Sequence, residues 1–260
     1  MKSSDLSILF ISCDKYSDLW KPLFHCVDTF WNDCPFPMFL GSNTKKCFHK
    51  QIKTLLSGPD TDWSSSLKRQ LSQIRTPYVF LWLDDMFPIE PIESKKFIET
   101  IAFMKKTSAN HIHMVPNPYP DILIENGKFG VYKKGAPYRA TALGFWNVAY
   151  LQSLLIDGEN PWNFEILGSY RTSYSDGFYC QMNPLFNRLH VVEKGSIFKD
   201  AADYCASNSI PLDVTKRAIL KRGNYIVSEI QKLDFNAVIK IPWERRVYAM
   251  NFLRKLFISY

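Results

Sequence analysis

The stretch Tyr78 to Leu83 (YVFLWL) is apolar along its whole length and stops abruptly at Asp84-Asp85. A strand with one face in water alternates apolar and polar side chains. A strand covered on both faces does not, and that is the habit of parallel sheets with helices on either side. Ser7 to Ser12 (SILFIS) is a second short apolar run, ending in the polar cluster Cys13-Asp14-Lys15-Tyr16. Two such strands commit the chain to a layered α/β fold with a mostly parallel sheet.

The intervening segments fit that plan. Trp20, Leu23, Val27 and Phe30 have helical spacing, and Pro37 to Leu40 reads as a strand running into the turn Gly41-Ser42-Asn43. Trp63 to Arg75 reads as a helix with Leu67, Leu71 and Ile74 on one face, Asp62 as its N-cap and Pro77 beyond its end. Further expectations are a helix over 94–106, strands over 111–115, 129–132 and 139–145, and a helix over 147–155. Pro161 should open a short helix over 162–167, and 189–192 a last strand. Ligands in such sheets sit at the carboxyl ends of strands, where Asp14-Lys15-Tyr16, Gly41-Ser42-Asn43 and Asp84-Asp85 all fall.

The net charge of +7 is concentrated at one end. Lys216 to Tyr260 holds ten Lys and Arg against Glu229, Asp234 and Glu244, while 1–215 carries as many acidic as basic residues. The chain therefore divides into a neutral body, 1–215, and a basic, helical C-terminal extension, 216–260. From Ile241-Pro242-Trp243 onward the extension reads as a helix with aromatic and basic residues interleaved. That composition suits an anionic membrane surface, and equally a helix docked on its own domain. No apolar run reaches the roughly 18–20 residues of a membrane span, and no cleavage-site pattern follows Met1. The expectation is a cytoplasmic protein, peripheral on the inner face of the cell membrane. No Cys-x-x-Cys occurs among the six cysteines, so reduced thiols and no zinc site are expected.

Adjacent carboxylates at a strand end repel one another unless a cation or several donors neutralise them. Asp84-Asp85 is thus a candidate Mg²⁺ or Mn²⁺ site, although Asp also caps turns. Glu165 lies in Pro161-Trp162-Asn163-Phe164-Glu165, where two aromatics could exclude water and raise its basicity. It is a candidate general base, or else an exposed residue paired with Arg171. Arg139 and Arg171 are candidates for bidentate phosphate contacts. His111 and His113 share one side of a strand without a third ligand nearby, whereas His190 could complete a metal site. No nucleophile-elbow, Walker or dinucleotide-binding glycine motif is present.

Taken in order, these clusters resemble a GT-A glycosyltransferase, with a Rossmann-like sheet. The clusters are Ser12-Cys13-Asp14-Lys15-Tyr16, Leu40-Gly41-Ser42-Asn43, Asp62-Trp63-Ser64, Leu83-Asp84-Asp85, and Pro161 to Glu165 with Gly168-Ser169. The wider pattern is similar to bacterial glycosyltransferase-like proteins found with capsule and O-antigen biosynthesis. The resemblance implies donor contacts at Asp14, Lys15, Tyr16, Asp62, Trp63, Asp84 and Arg139, and a Mn²⁺ or Mg²⁺ held by Asp85 with His190. It also implies Glu165 as the base of an inverting transfer. The usual acidic motif has a second aspartate two positions on, where this chain has Met86 after Asp84-Asp85, so Asp85 becomes the principal ligand.

The implied substrates are a nucleotide-sugar donor and a saccharide or polyprenyl-diphosphate-linked acceptor, with 241–260 on an anionic membrane and no nucleic acid. Alternatives are a sugar nucleotidyltransferase, which would need a basic glycine-rich phosphate loop, or a non-catalytic nucleotide-, lipid- or RNA-binding module. An RNA module should carry its charge in a stripe across the sheet rather than at one end.

Overall fold

A computed structural model of the protein describes residues 5–220 and 238–257. In chain order it runs β1 (Leu6–Ile11), a 3₁₀ turn (Asp14–Leu19), α1 (Trp20–Phe30), β2 (Met38–Ser42), β3 (Ile52–Leu56), α2 (Trp63–Leu71) and β4 (Tyr78–Leu83). Then come β5 (Met86–Pro88), α3 (Ser94–Thr107), β6 (His111–His113), β7 (Ile122–Ile124), β8 (Phe129–Val131), β9 (Gly144–Asn147) and α4 (Val148–Leu154). A composite helical stretch follows: α5 (Pro161–Asn163), a π-helical turn (Phe164–Gly168), α6 (Ser169–Arg171) and a 3₁₀ turn (Thr172–Tyr174). The chain continues with β10 (Phe178–Gln181), β11 (Arg188–His190), β12 (Val192–Glu193), β13 (Ser196–Phe198), α7 (Lys199–Ser207), β14 (Ile219–Leu220) and α8 (Trp243–Phe257).

The central sheet has the order β3-β2-β1-β4-β9-β6-β10-β8-β7. Strands β3, β2, β1 and β4 are parallel neighbours, as are β6 and β10, and within this sheet β9 and β8 alone run against the rest. The fold class is therefore the expected one, a mixed and mostly parallel sheet flanked by helices, with the 3-2-1-4 order of doubly wound folds in its first half.

The unbroken apolar runs have a direct physical cause. Ile8 and Phe10 of β1 and Phe80 and Trp82 of β4 point into one apolar layer, with Trp31, Phe97 and Phe186. Leu9, Ile11, Val79 and Leu81 point into the other, with Leu67, Leu71, Leu151 and Phe164. Each strand thus feeds a core on both faces. Two local predictions need correction. The strand expected over 139–145 begins only at Gly144, whose φ is 145°. A Cβ there would lie 2.6 Å from the Ile112 carbonyl, so this close approach of β9 to β6 requires glycine. Residues 139–143 instead cross the carboxyl edge of the sheet as a loop.

The second correction concerns the boundary expected after Thr215. Ile219 and Leu220 pair with Ile197 and Phe198, and Arg217 grips Asp18 through two bonds of 2.7 Å. Helix α8 also docks on the body. Its Arg246 is buried, lying 2.8 Å from Asp121 and donating to the Ile239 and Ile241 carbonyls, while the Tyr174 hydroxyl donates to Asn251. Its other side is exposed, with Tyr248 at 77% and Phe252 at 63%. Residues 221–237 and 258–260, parts of the expected basic extension, lie outside the described residues, as do the side chains of Met250 and of 253–257.

Candidate functional site

Strands β1 and β4 end side by side, Ile11 opposite Leu83, and the Asp84 amide continues the ladder to the Ile11 carbonyl at 3.3 Å. The two aspartates then part. Asp84 turns inward, 8% exposed, and accepts from the Ser12 hydroxyl, which accepts from the Trp20 indole at 2.7 Å. Burial, reinforced by the charge of Asp85, lifts the Asp84 carboxyl well above the usual carboxylate range against the opposing Ser12 bond. Asp85 turns toward His190, its Oδ2 lying 3.3 Å from Nε2. This meeting depends on β5 pairing with β11, which sets His190 opposite Met86, and on the Val191 amide donating to the Asp85 carbonyl at 2.8 Å. Burial acts to lower the His190 pKa, but the bond and charge of Asp85 outweigh it and the value is raised.

The turn after β1 is built into the fold. Asp14 accepts from the amides of Asn43 (3.1 Å), Thr44 (3.1 Å) and Lys45 (3.0 Å), and its own amide donates to the Asn43 side chain at 3.0 Å. These bonds outweigh its burial and hold its carboxyl below the usual range. Asp14 therefore ties the β1 and β2 turns together. Lys15 is exposed, 3.4 Å from Asp60, and Tyr16 lies under the Arg217 guanidinium at 4.2 Å. Asp62 caps α2 through the Ser65 amide at 2.8 Å, as expected, and the Trp63 ring packs 5.3 Å from Phe164.

That packing brings the composite helix to the same edge. Its Glu165 accepts from the Ala142 amide at 3.0 Å. Gly144 pairs with Leu81 of β4 and His113 of β6, so Ala142, two residues earlier, lies level with Leu83 at the carboxyl end of β4 and beyond the end of β6. Glu165 thereby shares the edge with Asp84 and Asp85. Burial raises its carboxyl pKa, with the single Ala142 bond opposing. Arg171 does not pair with it, taking Glu159 instead at 2.7 and 2.8 Å. Of the two aromatics expected to shield it, Phe164 is buried, but Trp162 is 61% exposed.

Arg139 is a correction. It is fully buried, with its guanidinium donating to Thr172, to the Lys133 carbonyl at 2.9 Å and to the Ser175 carbonyl at 2.6 Å, and lying 4.1 Å from the Phe178 ring. Its donors are spent on the Thr172 hydroxyl and on main-chain oxygens, which leaves none for a diphosphate. The residues that sequence reasoning overlooked are Arg217, treated only as part of a charge excess, and Arg188. Arg188 follows Asn187 two positions before His190, half-buried, and among the described residues it has no acceptor or anionic partner. His113 is buried, and burial with the Arg188 charge, against a main-chain hydrogen bond at Asn117, pushes its pKa down to about 3, so that the imidazole is neutral.

Among the described residues, no group of three or more His, Cys, Asp and Glu is arranged to hold a metal. A smaller donor set is present: Asp85 Oδ1 is buried without a hydrogen-bond partner, and His190 stands beside its other oxygen. One carboxylate and a histidine fit a hard cation whose remaining ligands come from phosphate and water. Two surface cavities, of about 260 and 170 Å³, lie elsewhere, the larger between α8 and Lys133, Lys134 and Asp176. No helix of the described residues is long and apolar enough to cross a membrane.

No family model and no curated protein matches the chain. Among solved structures, S. aureus TarS 1–349 is similar at 10% identity and a TM-score of 0.43, over 68% of this chain and 60% of that one. The same TarS fragment in complex with UDP-GlcNAc is similar at 9% identity and a TM-score of 0.42, over 93% and 77%. The bifunctional IspDF from Campylobacter jejuni is similar at 13% identity and a TM-score of 0.44, over 72% and 52%. The chain thus spans about 60% of the length of the first of these. At TM-scores below 0.5 such likeness carries no conclusion about ligand or reaction.

Proposed function

We propose that the protein is a glycosyltransferase that moves a sugar from a nucleotide-sugar donor to a saccharide or lipid-linked acceptor in the synthesis of a bacterial surface polysaccharide. The observation that carries this reading is the pairing, on one sheet edge, of a half-buried carboxylate of raised pKa, Glu165, with the Asp84-Asp85 turn. The two groups have complementary tasks. Glycosyl transfer needs a proton acceptor for the attacking hydroxyl and neutralisation of a departing diphosphate.

Glu165, desolvated and held by one main-chain donor, is a stronger base than a surface glutamate and is oriented by Ala142. It would take the acceptor hydroxyl proton as that oxygen attacks the anomeric carbon. With one such carboxylate as base and no second placed as nucleophile among the described residues, the displacement is direct and inverts the configuration. Asp85, through its unpartnered Oδ1, and His190 would hold Mg²⁺ or Mn²⁺, which when bound neutralises phosphate charge. The turns bearing Lys15, Tyr16 and Asn43 flank the pair on the β1 and β2 side, and the nucleotide would lie there, with Arg217 fixing Tyr16. Asp14, Asp62 and Trp63 support these turns and the composite helix from behind.

The outer side of α8, with Tyr248, Phe252 and Arg245 exposed, would rest on an anionic membrane surface while Arg246 anchors the helix to the body. A screen of nucleotide sugars by thermal shift, with and without Mn²⁺, tests the reading. At least one donor should raise the melting temperature, and more so with the metal. Failure of every nucleotide and nucleotide sugar to do so defeats it.

A further inference from the structure

The composite helical stretch that carries Glu165 turns an uncharged outer side to solvent. Seven residues from Asn160 to Ser175 are exposed: Trp162, Ile166, Leu167, Tyr170 and Tyr174, at 42–61%, and two asparagines. Steps of three and four residues set the five along one side of the stretch, away from the buried Phe164, Gly168 and Thr172. A helix at a protein surface ordinarily keeps polar side chains outward. An exposed apolar ridge of this kind marks a surface that something else covers.

The ridge runs into α8. The Tyr174 hydroxyl donates to Asn251, and Tyr248 and Phe252, on either side of Asn251 in that helix, are themselves exposed. At the start of α8 the Trp243 ring lies 5.1 Å from the Lys133 ammonium. Around this aromatic surface cations outnumber anions. Lys133, Lys240 and Arg245 stand against Glu244, while Lys134 and Asp176 pair at 3.3 Å. Such a surface complements an anionic bilayer, where Trp and Tyr settle among the headgroups and Lys and Arg meet lipid phosphates. A second copy of the chain fits it less well, because a twofold contact through the same face would bring the two basic rims together.

We infer that the composite helix is a bilayer-contact element, its ridge forming one face with the outer side of α8 that is seated on anionic lipid. A helix is about 10–12 Å across, and Glu165 reaches inward from this one to the Ala142 amide. The base therefore works within about a helix diameter of the headgroups. Of the two acceptor classes, this geometry favours the lipid-linked one over a free saccharide. The inference deepens, and in this last step rests on, the reading of Glu165 as the base.

The test uses the full chain and two kinds of vesicle, phosphatidylcholine alone and phosphatidylcholine with about one-third phosphatidylglycerol. In cosedimentation, wild type should bind the anionic vesicles at least tenfold more tightly than the neutral ones. Leu167→Gln with Tyr170→Gln should weaken that binding at least tenfold. Melting temperature and nucleotide-sugar affinity should not change, since both side chains are exposed. Ile166→Gln alone should weaken it in the same direction, and decides the matter if the double variant melts lower. Tyr248→Ser with Phe252→Ser probes α8 separately. The inference is overturned if wild type ignores anionic vesicles, or if the variants at 166, 167 and 170 bind them as wild type does. A loss confined to the α8 variant overturns it too, leaving α8 alone on the membrane. A wild-type dimer in solution that Leu167→Gln with Tyr170→Gln dissociates overturns it by assigning the ridge to a second copy. A wild type that binds vesicles through the ridge but no nucleotide sugar leaves the bilayer contact standing and defeats the transferase reading instead.

Discussion

Glu165→Gln separates a catalytic carboxylate from a structural one because the two roles predict opposite effects on stability. Glutamine keeps an Oε1 to accept from the Ala142 amide, 3.0 Å away, and loses only the charge. Burial lifts the Glu165 pKa above the 4.5 of an ordinary glutamate, so the folded chain holds the proton more tightly than the unfolded one. Stability from this group is complete below the unfolded value and is lost as pH rises through the raised, folded value.

Glutamine does not titrate. The melting temperature of Glu165→Gln minus that of wild type should therefore be near zero around pH 4 and climb to a positive plateau at alkaline pH. Because the side chain still reaches solvent on one side, the gain is set at the low end of the range for relieving a desolvated group, about 1 kcal/mol. For a chain of this size that is roughly 2–4 °C. Turnover should fall roughly a hundred- to ten-thousand-fold with donor affinity retained. The acid limb of the wild-type pH–rate profile should have its midpoint where the stability difference levels off, since both mark the pKa of Glu165 in the folded chain. Scanning fluorimetry across pH, paired with transfer kinetics, reads both. A variant that turns over normally, or melts lower than wild type at every pH, refutes the argument.

Asp85→Asn should remove the metal-dependent part of donor binding, at least tenfold by calorimetry, while metal-free binding is unchanged; equal affinities with and without Mn²⁺ in wild type would contradict this. Trp82→Phe keeps an aromatic ring beside Phe186 but leaves the Met86 carbonyl without its 2.6 Å indole donor, next to the acidic turn. It should cost about 1–3 kcal/mol in denaturant unfolding, and no change in midpoint would count against it. Arg246→Ala strips Asp121 of its buried partner, which should destabilise by roughly 3–5 kcal/mol and expose α8 to protease. Unaltered cleavage would mean that the helix is held by other contacts.

The elements that were legible in the sequence are those whose local pattern already encodes their surroundings. Tyr78 to Leu83 is apolar throughout because Phe80 and Trp82 serve one core layer and Val79 and Leu81 the other. Asp62 caps the helix it precedes because a short side chain reaches an amide three residues on. β3 and β10 escaped notice because little periodicity marks them: Ile52–Leu56, at the edge of the sheet, carries an exposed Lys53 after Ile52, and Phe178–Gln181 is only four residues long. Helix α7 is poor in large apolar residues and buries just Ala201, Ala202 and Cys205.

The candidate site divides along a similar line. Asp84 and Asp85 could be found because an acidic pair ending an apolar strand is a local anomaly, and Glu165 because aromatics precede it. What a charged group pairs with is not local. Arg139 and Arg188 look alike in sequence, yet the first spends its donors on groups that include the carbonyls of Lys133 and Ser175 while the second has no acceptor among the described residues. The union of Asp85 with His190 likewise waits on a two-stranded pairing between β5 and β11. Since an arginine's function depends on whether the fold has left its donors free, the fold had to be known before Arg139 could be set aside.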